Sequence, residues 1–277
     1  MDPDQYNKFS KIRENHSSTY IPKYKHWIQW NPKGKDTILD IGSQTGTLTK
    51  DFIYPLLPGT FSKLVLSDRS QKMVDHAKKL FEGDSKVSCE ILDISRELDE
   101  KEKNKLGSFD HIFSQYHLAW LPNHQKCFEN IYNLLSPGGD CFLILTAGSL
   151  YMDVTIELNS KARWKKFVPN PEETHPFPYS RDPNPVKTVT EMMESIGFVN
   201  INVKLEKSLI VFNTTEEFLG FMKSQPNPLE SMSVTEQEDY LKQAADLAIS
   251  HNSIGEISDR KQNDTVSEIL VVYGRKN

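Results

Sequence analysis

The segment Leu39-Asp40-Ile41-Gly42-Ser43-Gln44-Thr45-Gly46 constrains this chain more than any other. A short apolar run, Thr37 to Ile41, breaks at Gly42 and passes through an Asp-x-Gly-x-x-x-Gly turn into a helix-compatible stretch, Thr47 to Leu57. Glycine there permits a tight strand-to-helix turn and lets a ligand approach bare backbone. The dinucleotide fingerprint G-x-G-x-x-G is missing because Gln44 stands where its second glycine would be, which disfavours a diphosphate cradle and a nicotinamide reading.

Strand and helix patterns alternate after that turn. Lys63 to Ser67 reads as a second strand and Val87 to Leu92 as a third. His111 to Ser114 reads as a fourth, and Asp140 to Thr146, entered through Ser136-Pro137-Gly138-Gly139, as a fifth. Met73, Val74, Ala77 and Leu80 share one helical face between the second and third. Strands separated by helices imply right-handed crossovers and a parallel sheet covered on both faces. The second half is less regular. Ser149 to Trp164 predicts one amphipathic helix, and Val168 to Pro185, with six prolines, predicts a surface loop with the character of a lid and no packed element. Helices follow over Val186–Ile196, Thr215–Lys223 and Glu236–Ser250, with strands at Phe198–Glu206 and Ser267–Tyr273. The expected fold is α/β, a doubly wound Rossmann-like, seven-stranded, mostly parallel sheet with a helical cover over the active site. As a single domain it divides into an N-terminal cover (1–30), a cofactor-binding half (35–148), an insertion or lid (149–185) and a C-terminal half (186–277).

Composition narrows the function. Lys+Arg number 33 against 38 Asp+Glu, a net charge of −5, so the basic patch that nucleic-acid binding needs is not expected. No run approaches the roughly 18 apolar residues of a membrane span, and the start carries no cationic segment leading into an apolar one. Three cysteines without Cys-x-x-Cys spacing fit reduced thiols, and Cys141, within an apolar run, reads as a small core residue. A cytoplasmic protein, a monomer or homodimer acting on a small molecule without a metal, is expected.

Ligands of open parallel sheets bind beyond the carboxyl ends of the strands. Asp40, Asp68 and Asp93 lie at three such ends. Asp68 offers two acceptor oxygens to a ribose diol, and Asp93-Ile94 offers an acceptor beside an aliphatic wall, suited to an adenine ring. Together they suit an adenosine ligand without phosphates. The blander alternative is that any one of these acids caps the next helix.

This arrangement resembles the class I S-adenosylmethionine-dependent methyltransferases. The resemblance makes Asp40, Gly42, Ser43 and Gly46 the cofactor loop and Asp68 the ribose acid, with Arg69, Met73, Asp93, Ile94 and Ser114 completing the cofactor set; Ser43-Gln44-Thr45 departs from the commoner Cys-Gly-Thr or Gly-Gly-Thr. Phe109-Asp110-His111-Ile112-Phe113-Ser114-Gln115-Tyr116-His117-Leu118-Ala119-Trp120-Leu121 and Phe128-Glu129-Asn130-Ile131-Tyr132-Asn133-Leu134-Leu135 are similar to insect juvenile hormone acid O-methyltransferases. So are Asp153-Val154, Lys161-Ala162-Arg163-Trp164, Met192-Met193-Glu194-Ser195-Ile196-Gly197-Phe198 and Val271-Val272-Tyr273-Gly274-Arg275-Lys276, in order along nearly the whole chain. The implied reaction methylates the carboxylate of a small lipophilic acid, such as farnesoic acid or a juvenile hormone acid, with S-adenosylmethionine as cofactor.

A carboxylate nucleophile, with a pKa of about 4, is already ionised at neutral pH and needs no general base. It needs a donor for one oxygen. Trp120 supplies one, because an indole N–H donates and never accepts. The family's other carboxylate-orienting residue is a Gln in the N-terminal helix, and Arg13 holds its place here, either as a charged clamp or as a solvated surface residue. His117 is a third candidate, with a structural histidine as its alternative. Phe9, Tyr20, Tyr24, Trp27, Trp30, Tyr151, Met152 and Trp164 form a group expected to line a slot for an apolar tail. Two other readings stay open: the same cofactor with a polar acid or hydroxyl acceptor, and a cofactor-binding relic without turnover.

Overall fold

The computed structural model describes residues 2–171, 176–210, 212–251 and 266–277. Seven strands form one sheet in the order β3-β2-β1-β4-β5-β7-β6. They are β1 (Thr37–Ile41), β2 (Lys63–Asp68), β3 (Val87–Ile91), β4 (Phe109–Gln115), β5 (Leu135–Gly148), β6 (Val199–Leu209) and β7 (Val266–Arg275). The first five run parallel, and β7 is antiparallel to both its neighbours. Strand order reverses between β1 and β4, so a crevice opens above their carboxyl ends.

Burial follows position in the sheet. Central β1 and β2 are buried along nearly their whole length, as a parallel strand covered on both faces requires. One core cluster, including Leu39, Ile112, Phe128 and Leu143, lies on one side of the sheet; the other gathers Ile38, Leu64, Phe113 and Ile144. Helices α3 (Gln71–Leu80), α4 (Glu100–Leu106), α5 (His124–Leu134) and α8 (Pro185–Ile196) supply the crossovers. The N-terminal α1 (Pro3–Lys8) and α2 (Lys11–Tyr24) lie at the strands' carboxyl ends, joined on the periphery by α6 (Leu150–Ser160), α7 (Ala162–Lys165), α9 (Thr215–Lys223) and α10 (Val234–Ser250). Cys141 is fully buried in β5.

Three expectations are corrected. Thr47 to Leu57 is not one α-helix: a π turn over Thr49–Ile53 passes into a 3-10 turn over Tyr54–Leu56, because Pro55 lacks the N–H that a continuing helix would use. The helix expected over Ser149 to Trp164 is broken at Lys161, whose extended backbone separates α6 from α7. Residues 172–175 of the proline-rich stretch lie outside the described residues; its described part is packed, since Val168, Phe177 and Tyr179 are buried, because proline forbids a ladder of backbone bonds without forbidding side-chain burial. No helix among the described residues is long and apolar enough to cross a membrane.

Candidate active site

The turn after β1 is shaped by its glycines. Gly42 is left-handed at φ +68°, and a Cβ there would lie 2.0 Å from the His117 ring. Only glycine allows both the turn and that approach. The Ser43 N–H donates to the Ser67 carbonyl at 2.8 Å, and the Gly46 N–H returns to Ser43 at 2.9 Å. Ser114 fixes the turn from β4, its hydroxyl donating to the Ile41 carbonyl at 2.8 Å.

Asp40 lies under this turn with one oxygen accepting from the Thr49 hydroxyl; its Oδ1 is buried with no hydrogen-bond partner. Burial, with the Asp68 charge adding to it and the Thr49 bond opposing, pushes its carboxyl up to about 7. Asp68, at the end of β2, accepts from the Gln44 N–H at 3.2 Å and the Ser70 N–H at 2.8 Å.

A cavity of about 670 Å³ opens over these strand ends. It brings together Arg13, Asp68, Arg69, Met73, His117 and Trp120 of the sequence candidates. Asp40, Gly42, Ser43, Gly46 and Ser114 shape its floor without being among its lining residues. Asp93 and Ile94 also stand outside the lining. Asp93 accepts from the Ser95 N–H at 3.0 Å and hydroxyl at 2.6 Å; burial raises its pKa, but the Ser95 bonds and the charges of Arg69 and Arg96 outweigh it and hold the carboxyl below its ordinary range. Ile94 is fully buried in the core.

Arg13 is 4% exposed, which removes the solvated-surface alternative. Its Nη2 donates to the Tyr6 carbonyl at 2.8 Å, and the guanidinium stacks 3.9 Å from the Tyr6 ring centroid. Its Nε and Nη1 are buried and meet no hydrogen-bond partner. Trp120 ends a 3-10 turn after β4 and is held edge-on by Phe177, with ring centroids 5.1 Å apart, and by Tyr151 at 6.4 Å. Burial lowers the His117 pKa and keeps the ring neutral beside these two residues.

The expected aromatic slot is not built. None of its members lines this cavity. Trp27 packs on Phe142 and Tyr273, Trp30 on His111, and Trp164 is fully buried against Tyr240. Tyr151 and Met152 are core residues, Tyr151 standing behind Trp120. The walls are instead Tyr6, Tyr116, Phe167 and Val168, and the roof is Lys223 with Gln225 to Glu230. Sequence reading missed these. Tyr6 belongs to a six-residue helix, and Ser224-Gln225-Pro226-Asn227-Pro228 has no periodicity to mark it. Tyr6 and Asn7 lean onto the loop: the Tyr6 hydroxyl donates to Gln44 Oε1 at 3.0 Å, and Asn7 Oδ1 accepts from the Thr45 hydroxyl at 2.6 Å.

These residues fit an amino-acid-bearing adenosine cofactor. The partnerless Asp40 Oδ1 is an acceptor in need of a cation or donor, the bare Gly42 leaves room at the loop, and Asp68 lines the same cavity.

The family model for the methyltransferase domain matches residues 39–141. The juvenile hormone acid O-methyltransferase of Drosophila melanogaster is 30% identical over 274 residues, covering 98% of this chain and 91% of that protein. Its namesake from Bombyx mori is 28% identical over 284 residues, with 99% and 96% covered. Among solved structures, the YcgJ protein of Bacillus subtilis shares the fold at a TM-score of 0.58 and 14% identity, with 95% of this chain and 99% of that one covered.

Proposed function

We propose, from the premise that this chain belongs to the juvenile hormone acid O-methyltransferase family of S-adenosylmethionine-dependent methyltransferases, that its acceptor is the carboxylate of a small lipophilic acid and its product a methyl ester. The observation that carries this reading is Arg13: a buried guanidinium with two partnerless nitrogens in the cavity that Trp120 also lines. Such a group asks for an anion, and a carboxylate matches its fork.

Asp40, Asp68 and the glycine turn would hold the cofactor, with Arg69 and Met73 lining the cavity beside them and Ser114 bracing the turn from below. When bound, S-adenosylmethionine would supply a methyl group on a positively charged sulfur; the acceptor's carboxylate oxygen would form the new C–O bond to that methyl carbon as the C–S bond breaks and its electron pair stays on sulfur. Arg13 and the Trp120 indole orient the acid. Neutral His117 adds no charge to the site. Tyr6, Tyr116, Phe167 and Val168 exclude water, which favours a transition state in which opposite charges cancel. No general base is needed, because the acid arrives ionised.

A second reading, a short polar acid as acceptor, is favoured by the roof, where Lys223, Gln225, Asn227 and Glu230 stand where an apolar sleeve was expected. Methyl transfer assayed against farnesoic acid, a juvenile hormone acid and a panel of short polar acids decides between them. Activity on a lipophilic acid is expected, and activity restricted to polar acids would overturn the lipophilic class. In the same assay Trp120→Phe is expected to lower kcat about tenfold or more with cofactor affinity intact, the scale of one lost donor in a dry site. Asp68→Ala is expected to act mainly on cofactor affinity. Unchanged kinetics in Trp120→Phe would remove that residue from the acceptor site.

A further inference from the structure

Arg13 poses a question that orientation alone does not answer. An amide side chain, such as the Gln of the related enzymes, donates to an acid's oxygen and to an ester's carbonyl with similar strength. A guanidinium does not, because hydrogen bonds between two ions are roughly twice as strong as neutral ones. The surroundings of Arg13 sharpen that difference. Among the described residues its guanidinium bonds to the Tyr6 carbonyl and stacks on the Tyr6 ring. Asp68, one of the carboxylates that line the same cavity with Asp2 and Glu230, accepts from the Gln44 and Ser70 backbone N–H groups. Tyr116 adds a second buried aromatic wall, and burial holds its phenol protonated and uncharged. The chamber's lining also carries Asp2, Asp68 and Glu230 against Arg69 and Lys223, yet none of them is a hydrogen-bond partner of the buried Nε and Nη1 of Arg13.

We propose that Arg13 makes this site selective for the free acid over that acid's own methyl ester, so that the reaction removes the charge that held its substrate and thereby releases its product. The inference rests on the carboxyl-methylation reading above. Before transfer, the acceptor's carboxylate neutralises Arg13. Afterwards the new C–O bond leaves an ester without charge, and Nε and Nη1 again lack an ionic partner. A neutral ligand over a desolvated cation is held weakly. Product inhibition by the ester is correspondingly slight, and a site with Gln in this place lacks the device.

The test is calorimetric titration of the full chain, saturated with S-adenosylhomocysteine, with two matched pairs: farnesoic acid and methyl farnesoate, and octanoate and methyl octanoate. For the better-bound pair, the acid is expected to bind about 10–100-fold more tightly than the ester, the range set by replacing ionic with neutral hydrogen bonds. Arg13→Gln is expected to bring that ratio to within about threefold. Arg13→Lys, which keeps the charge and loses the fork, is expected to retain a preference for the acid; a purely structural role for Arg13 would not give this ordering. A wild-type protein without acid preference, or an unchanged ratio in Arg13→Gln, overturns the proposal. Methyl transfer by the same preparations separates the two readings: turnover without acid preference rejects the role of Arg13 alone, whereas acid preference without ester formation rejects carboxyl methylation.

Discussion

The two ends of the central sheet bury charge in opposite ways. Below the amino ends of β1 and β4, His111 lies between two carboxylates, Nδ1 2.7 Å from Asp140 and Nε2 3.1 Å from Asp36. These acids also accept from the Gln29 N–H, the Asn31 N–H and the Tyr273 hydroxyl, and the Trp30 ring lies 4.4 Å from His111. Asp36 Oδ2 apart, the cluster closes on itself and ties the segment after α2 to the sheet. Above the carboxyl ends, Arg13 and Asp40 are just as buried, yet Nε, Nη1 and Oδ1 point at nothing in the protein. Burial of charge is therefore no mark of function by itself. A charge whose partners are built in ties elements of the fold together, whereas Arg13 and Asp40 keep unpartnered atoms at the strands' carboxyl ends, where the proposed reading puts the ligands.

That contrast breaks most visibly at His111. Replacing it by Gln leaves two buried carboxylates without their cation and is expected to lower stability by about 3–5 kcal/mol in urea unfolding, with KM for the acid unchanged. A loss below 1 kcal/mol would mean that the lower cluster is not structural. Its pH dependence has a definite sign. Burial alone would depress the His111 pKa, but Asp140 and Asp36 outweigh it and hold the value above the ordinary one of about 6.5. The stabilisation is complete below that ordinary value and disappears as pH rises through the native one. The wild type is expected to weaken over that window and His111→Gln to stay flat.

Arg13→Met sharpens the comparison from the other end. Removing a half-satisfied buried cation is expected to leave stability unchanged or raise it by about 1 kcal/mol, while acid binding is lost. A destabilisation as large as that at His111 would make the two ends alike. The smallest expected effect concerns Asp40. With its carboxyl near 7 in the free protein, it is protonated at pH 6, and a cofactor ammonium at Oδ1 favours the ionised form. S-adenosylhomocysteine binding at pH 6 is expected to release a proton, with affinity rising by up to about tenfold per pH unit and levelling above pH 7. Calorimetry in two buffers of different ionisation heat reads the proton directly, and proton uptake would remove Asp40 from the cofactor's amino-acid end.

Much of the upper half of the sheet was legible in the chain itself. Local apolar runs marked β1 to β5, since a strand covered on both faces needs an unbroken apolar stretch. The break at Gly42 located the loop, and Asp68 followed from its place at the next strand end. The aromatic residues were harder to place. Trp164 and Tyr151 fall at helical spacing, which is equally the signature of a face turned to the core, and there they pack. The roof from Lys223 to Glu230 was invisible because its prolines leave no period to read.

The sequence by itself determined the alternating architecture, the glycine turn after the first strand and the acids at the strand ends, all of which depend on neighbours a few residues apart. It could also name Arg13 and Trp120 as candidates for orienting an acceptor, whereas His111 read only as part of a strand. Only the tertiary structure shows which groups each buried charge meets. His111 meets Asp36 and Asp140 across 75 and 29 residues of chain, whereas Arg13 reaches nothing beyond Tyr6, seven residues away. Whether a buried charge is satisfied depends on which distant groups the fold brings within hydrogen-bond reach, and no local pattern carries that information.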